Sequence, residues 1–311
     1  MTEDDKKALE GLFVNSQAFL PPRFFYNSLG GLLFEAITRL EEYTPTKDEL
    51  SIFENRIREI KKILPSDICL IDLGAGNCSK AEKILPEVCP EVFLAVDLPS
   101  KFFRNSVTRL KNALRNQKIY ALEKDFTSGL FLSEITRIVG DAIYHLDKVL
   151  FFPGSTIGNY SPEDAKNFLM SIDHDSIIIG VDLIKPEREM IRAYDDSLGV
   201  TAAFNKNALL HANALLDTDF EVGNWSHKAI YNSSESRIEM HLVAKSTHFV
   251  NSPFGKRVFS KGESIHTENS HKYSPESFKN LLLGSGYVDI YDFLHPSNRY
   301  GVFVAKRNKQ S

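Results

Sequence analysis

Residues 68–80 read ICLIDLGAGNCSK: an apolar run carrying one acid, then two glycines with one residue between them. A short, largely apolar run of this kind suits a strand buried on both faces, as strands of parallel sheets are. Gly74 and Gly76 permit positive φ and bring no side chain, so the backbone can turn sharply and lie against a ligand. A helix is expected to open at Ser79, just past the glycines. Strand, glycine turn and helix make the first step of an open α/β sheet, whose ligands bind at the carboxyl ends of the strands.

The alternation continues on both sides of this stretch. Upstream, IFENRIREIKKIL (52–64) has helical periodicity. Downstream come strand 92–98, a helix over about 99–116, strand 118–123, a helix near 130–139, strand 148–155, helix 161–172 and strand 176–184. Short apolar strands separated by helices predict a parallel sheet with both faces covered. A helix at 274–285 and two strands, 287–294 and 300–306, close the chain. The intervening residues do not alternate: 198–216 reads as a helix, and 219–231 and 236–248 as antiparallel strands. Residues 3–20 and 28–40 have helical periodicity on either side of the breaker Pro21-Pro22.

NAD, a phosphate and S-adenosylmethionine all ask for a glycine turn of this kind. A dinucleotide fingerprint GxGxxG would need glycine at position 79, where the chain has Ser79, and no GxxxxGK[ST] motif occurs. Asp97 ends the second strand, about 20 residues beyond the loop, where a carboxylate accepts from ribose hydroxyls. Asp125 and Phe126 follow the third strand and stand where they would bond and flank an adenine; an N-cap and a core aromatic are the bland readings of the same pair. The combination points to S-adenosylmethionine. The terminal strand pair after the fifth parallel strand agrees, being the usual ending of a class I methyltransferase sheet.

The predicted fold is therefore α/β: a Rossmann-like class I methyltransferase sheet from residues 49–195 and 273–311, and a second, discontinuous α+β substrate-binding domain from 1–48 and 196–272. A chain of 311 residues accommodates two such domains. A hydrophobic content of 42% and a charged content of 25% are those of an ordinary soluble protein. The net charge of −4 gives no general attraction to phosphates, so no nucleic-acid partner is expected. MTEDDKKALEG at the N-terminus has no apolar core of signal-peptide length, no apolar run is long enough for a membrane span, and the three cysteines form no CxxC pair. A cytoplasmic chain with no membrane association is expected.

Five longer stretches carry a more specific likeness: PPRFFYNSLGGLLFEAITRLEEYTPT (21–46), FFPGSTIGNYSPEDAKNFL (151–169), AYDDSLGVTAAFNKNAL (193–209), IEMHLVAKS (238–246) and GESIHTENSHKYSPE (262–276). From about Phe19 to Ala305 the chain resembles the histidine-specific N-alpha-methyltransferases of ergothioneine biosynthesis. The resemblance implies trimethylation of the α-amino group of L-histidine to hercynine, with three molecules of S-adenosylmethionine converted to S-adenosylhomocysteine. By matched position it implies cofactor contacts from Tyr26, Phe34, Gly74, Gly76, Lys80, Asp97, Asp125 and Phe126. Tyr43, Asn159 and Tyr194 would hold the amino-acid backbone or line its site, Glu268 and Ser270 would face the imidazole, and Met240 would lie beside it. Gly-Ala-Gly-Asn-Cys (74–78) replaces a common Gly-Ser-Gly-Thr-Ser, and Tyr43-Thr44-Pro45 a common Tyr-Tyr-Pro.

Read without the family, these residues allow more than one account. Asn159 suits a group that donates to a carboxylate and accepts from an amine, and equally an Asx-turn before Ser161-Pro162. Tyr26, Phe34, Tyr43 and Tyr194 fit half-buried packing or an aromatic wall against a cation. Glu268 and Ser270 suit the one donor and one acceptor of a neutral imidazole, though a glutamate in a polar stretch is ordinarily solvated. No residue is identifiable as a general base; Tyr43 and Asn159 would position. The stretch His266–His271 lacks the helical HExxH spacing, and two histidines five apart in a strand face opposite ways, so no metal site is expected. A relative acting on tryptophan or another amino-acid-derived amine is the alternative, and Glu268 and Met240 speak against it. A non-catalytic cofactor-binding module is a further one. The expected partner is a small-molecule amino acid and the expected state a monomer.

Overall fold

The computed structural model describes residues 3–307, which divide into two compact units. The first unit comprises the chain up to Thr44 and Lys185–Ser270; the second comprises Pro45–Ile184 and the chain from His271 onward. In chain order, the first unit begins with α1 (Glu3–Phe13), β1 (Ala18–Phe19) and α2 (Ser28–Ile37). The second supplies α3 (Pro45–Ile63), β2 (Ile68–Leu73), α4 (Ser79–Val88), β3 (Val92–Asp97), α5 (Lys101–Ala113), β4 (Lys118–Glu123), α6 (Leu132–Val139), β5 (Asp147–Phe152), α7 (Pro162–Met170) and β6 (Ser176–Asp182). The first unit resumes with α8 (Glu187–Tyr194), α9 (Val200–Leu216), β7 (Trp225–Asn232), β8 (Arg237–Ala244), β9 (His248–Ser252), β10 (Gly255–Phe259) and β11 (Ser264–His271). The second closes with α10 (Pro275–Gly284), β12 (Tyr287–Leu294) and β13 (Tyr300–Arg307).

The sheet of the second unit has the order β12-β13-β6-β5-β2-β3-β4. β4, β3, β2, β5 and β6 run parallel, while β13 lies antiparallel between β6 and β12. This is the order of a class I methyltransferase sheet. The order in which strands are added reverses beside β2, with β3 on one side and β5 on the other, so the loop after β2 opens at the switch point where such sheets bind ligands.

Every residue of β2 and β6 is buried, because both faces are covered. Cys69, Ile71 and Leu73 join one core layer with Leu94, Val96, Leu150 and Ile177; Ile68 and Leu70 join the other with Phe93, Ala95, Val149 and Ile178. Helices α3, α4 and α5 cover the second layer with Ile57, Ile84 and Leu110, and α7 and α10 cover the first with Leu169 and Leu282. Each such side chain contributes about 1.5–3 kcal/mol by leaving water. The helix starts are capped: Ser100, Ser161 and Ser274 accept from the backbone N–H groups of Phe103, Asp164 and Ser277.

In the first unit, a sheet of order β1-β11-β8-β7 carries β1 parallel to β11 and β8 antiparallel to β7. Its apolar face packs under α9, and Phe24, Phe25, Phe204, Trp225, Met240 and Ile265 share that core. β9 and β10 form a separate hairpin.

Several sequence expectations change here. The helix expected over 3–20 stops at Phe13, and Ala18–Phe19 pair with Ile265–His266 as a strand. The strand expected over 236–248 ends at Ala244, and a new one starts at His248. Helix α8, expected with the large sheet, belongs to the first unit, because Met190 packs against Ala229 and Ile238.

Candidate functional site

The glycine loop of the second unit is built around Asp97. Gly74 and Gly76 have φ of +74° and +54°. The Gly76 N–H donates to Asp97 Oδ2 at 2.6 Å, and the Leu98 N–H donates to Oδ1 at 2.7 Å. Burial pushes the Asp97 carboxyl above its usual range, and these two backbone donors oppose that rise. Each carboxylate oxygen has two lone pairs, so the same group that fixes the loop can still accept from a ligand hydroxyl. A side chain at Gly76 would meet only the Gly74 carbonyl oxygen, at 3.8 Å, so the turn presents open backbone. The donor set and this bare backbone fit the ribose and chain of S-adenosylmethionine.

Phe126 lies against the same turn, its Cζ 3.5 Å from where a Gly74 Cβ would stand, and also packs with Phe152 and Phe168. Asp125 Oδ1 accepts from the Thr127 N–H and hydroxyl, so the N-cap and core-aromatic readings of this pair both describe real contacts. Lys80 Nζ is 2.5 Å from Glu49 Oε2. Asn159 ends a 3₁₀ turn over Thr156–Asn159 and is half-buried; the cap of the helix that follows is Ser161 rather than an Asx-turn from Asn159.

The quoted stretch also holds an acid to which the sequence reading gave no role. Asp72 is buried, and its carboxyl is pushed up to about 8 by that burial, which outweighs the charge of Lys80 and is reinforced by Asp97 and Glu49. An acid within an otherwise apolar buried strand was the available signal.

In the first unit the aromatic residues form one continuous series. Tyr26 and Phe34 have ring centroids 6.2 Å apart, Phe34 and Tyr43 6.3 Å, and Tyr43 and Tyr194 6.4 Å. Phe204 of α9 stands 5.8 Å from Tyr26 and 5.9 Å from Phe34. It was not among the sequence candidates, since helical periodicity cannot tell a core phenylalanine from one that faces a ligand.

Tyr194 Oη is 2.7 Å from Ser270 Oγ, and His227 Nε2 lies 2.7 Å from the Tyr194 carbonyl oxygen. The Asn205 amide donates to His227 Nδ1 at 2.9 Å, which fixes the proton on Nε2, where it donates to Tyr194. Burial holds the His227 ring below its usual pKa, in keeping with this neutral form.

Glu268 and Ser270 are buried at 7% and 3% exposure, which removes the solvated reading of Glu268. Their burial does not follow strict alternation along β11. His266 stacks on His241, which alternates along β8 with the core residues Ile238, Met240 and Leu242. Ser270 instead reaches Tyr194 on α8, over the opposite face. A regular strand would put residues 266 and 270 on one face. Burial changes phase at Thr267–Glu268, where two consecutive residues are buried. Ser270 and His271 are likewise both buried, so burial along β11 does not alternate strictly over this stretch.

Glu239, His241 and His266 place ligand-type atoms within 4.8 Å of one another. The carboxylate is already engaged: Oε1 accepts from Asn232 at 2.9 Å and from Arg237 at 2.8 Å, and Oε2 lies 3.1 Å from His241 Nε2. These contacts outweigh burial and hold Glu239 down to about 2, so Arg237 already serves as its counter-cation.

Among the described residues, no helix is long and apolar enough to cross a membrane. A sequence profile described as histidine-specific methyltransferase, SAM-dependent, matches residues 4–307. The chain is 34% identical to the histidine N-alpha-methyltransferase of Mycolicibacterium smegmatis, over 93% of this chain and 90% of that one. It is 33% identical to that of Mycobacterium tuberculosis with the same two coverages. The ergothioneine biosynthesis protein 1 of Neurospora crassa is 27% identical over 94% of this chain and 33% of its own length. By the span of the profile and these identities, the chain belongs to the family of histidine-specific, S-adenosylmethionine-dependent methyltransferases.

Proposed function

We propose that this chain methylates the α-amino group of L-histidine three times, yielding hercynine for ergothioneine biosynthesis. The observation that carries the substrate is the buried pair Glu268 and Ser270, two residues apart on β11, with Ser270 bonded to Tyr194. A neutral imidazole has one N–H donor and one bare nitrogen; a carboxylate takes the first and a hydroxyl serves the second. A bulky apolar ring would offer the buried Glu268 carboxylate no hydrogen bond, a poor match for a polar group taken out of water.

In the second unit, Gly74, Gly76, Lys80, Asp97, Asp125 and Phe126 would hold the cofactor, and in the first, Tyr26 and Phe34 would do so. When bound, S-adenosylmethionine supplies an electrophilic methyl group to a neutral amine and leaves as S-adenosylhomocysteine. The chain's contribution is chiefly placement, which supplies roughly 7–11 kcal/mol when two reactants are held ready. Tyr43, Asn159 and Tyr194 would fix the amino-acid backbone, with Met240 against the ring. The faces of Tyr26, Phe34, Tyr43 and Phe204 accept a growing methylammonium cation, at about 0.5–2 kcal/mol per contact. We read the chain as cytoplasmic, in keeping with its three free cysteines, and as a monomer.

The test is mass spectrometry of the twenty amino acids, each incubated with the protein and labelled S-adenosylmethionine. Histidine should gain three methyl groups. Preference for tryptophan, or a product that stops at one methyl with cofactor in excess, would overturn the reading.

A further inference from the structure

Glu49 has no exposed surface, although it sits near the start of α3 and its side chain is a carboxyl group. Its Oε1 accepts from the Gly154 N–H at 2.9 Å and from the Tyr300 hydroxyl at 2.8 Å. Its Oε2 is 2.5 Å from Lys80 Nζ. One carboxylate therefore ties together α3, the first turn of α4, the loop after β5 and the start of β13. The sheet makes room for it: a Cβ at Gly180 would stand 1.8 Å from Glu49 Oε1 and 2.5 Å from Tyr300 Oη. Only glycine fits at that point of β6.

A buried carboxylate is a costly way to join four elements, since apolar residues of like volume do so without a desolvation penalty. Its use is to be sought in what it holds. Lys80 is the outward-facing member of the group, 20% exposed, four residues beyond Gly76. A lysine side chain is a flexible stem bearing a point charge, and left alone it samples many rotamers. Glu49 removes that freedom and neutralises the charge beside a loop whose other ionisable groups, Asp72 and Asp97, are acids. We propose that Glu49 is a positioning residue for the cofactor, acting through Lys80, and that Tyr300 and Gly154 hold Glu49 for that purpose. The inference rests on the reading of Lys80 as a cofactor contact.

Glu49→Gln isolates the ion pair, because its amide oxygen still accepts from Gly154 and Tyr300. Calorimetry with S-adenosylhomocysteine and steady-state kinetics of the folded full chain provide the readout. Glu49→Gln should weaken binding about tenfold, the worth of one charge-assisted pair, and raise the cofactor KM while leaving the histidine KM in place. Glu49→Gln combined with Lys80→Met should bind no more weakly than Lys80→Met alone. A Glu49→Gln protein within twofold of wild type, or losses that multiply in the double variant, would overturn the inference and leave Glu49 a packing residue. Wild-type affinity in Lys80→Met would instead remove the reading beneath it. If Glu49→Gln does not fold, Tyr300→Phe, which removes one donor and no charge, should still raise the cofactor KM severalfold; an unchanged value would overturn the proposal.

Discussion

Tyr194 Oη and Ser270 Oγ lie 2.7 Å apart, a helix hydroxyl meeting a strand hydroxyl in the interior of the first unit. The direction of this bond follows from the proposed substrate. If Glu268 accepts the imidazole N–H, the other ring nitrogen needs a donor, so Ser270 gives its proton to the ring and accepts from Tyr194. The backbone end of Tyr194 is held by His227, itself fixed in one tautomer by Asn205. Tyr194→Phe should then raise the histidine KM about fivefold, the worth of roughly 1 kcal/mol for one neutral hydrogen bond. The cofactor KM should not move. A histidine KM equal to wild type would detach this bond from recognition.

Glu268→Ala strands the imidazole donor in a buried place. An unpaired buried polar group costs about 1–3 kcal/mol, so histidine turnover should fall roughly ten- to a hundredfold. Adding Met240→Val should make room for a larger ring and move preference towards tryptophan or phenylalanine. Melting curves separate this from loss of fold. A folded Glu268→Ala protein that methylates histidine like wild type would remove Glu268 from the site.

Asp97 serves the loop and the proposed ribose contact with one carboxylate. Asp97→Ala removes the acceptor of Gly76 and Leu98 as well as the charge. Loss of a charge-assisted pair of bonds, worth about 1.5–3 kcal/mol, should weaken S-adenosylmethionine binding by one to two orders of magnitude. Calorimetry on the folded variant checks this, and unchanged affinity would contradict it.

His174 makes stability fall in acid. Its Nδ1 is 2.8 Å from the Ile172 carbonyl and its Nε2 2.5 Å from the Tyr287 hydroxyl. Burial, with the Arg307 charge adding to it, lowers the ring from 6.5 to about 3. As pH falls below 6.5 the unfolded ring takes up a proton and the folded ring does not until about 3, so the unfolded state is favoured across that window. Between pH 7 and 5 this single group should remove about 2 kcal/mol of stability. Urea unfolding of wild type and His174→Gln at both pH values is the check: the difference between the two proteins should shrink by that amount in acid. A constant difference would show that the ring titrates normally.

Local patterns were enough for the large sheet and its loop. An apolar run ending in Gly74 and Gly76, with Asp97 after the next strand, specifies a parallel strand, a turn and an acid at its crevice, because each depends on neighbours in sequence. Much less of the first unit was legible. β1 is only two residues long and exists because Ala18 and Phe19 find Ile265 and His266, some 247 residues away. No local pattern encodes such a pairing.

The amino-acid sequence by itself determined the alternating α/β order, the glycine turn with Asp97, and a set of motifs sufficient to recognise the family. Tertiary structure alone decided which polar residues are buried and what they face. Glu49 reads as one more helix acid until Lys80, Gly154 and Tyr300 converge on it from three other elements. Glu268 reads as solvated until the folded chain buries it together with Ser270. The physical reason is common to both: a charge is held inside only where distant segments supply its hydrogen bonds, and those segments meet only in the folded chain.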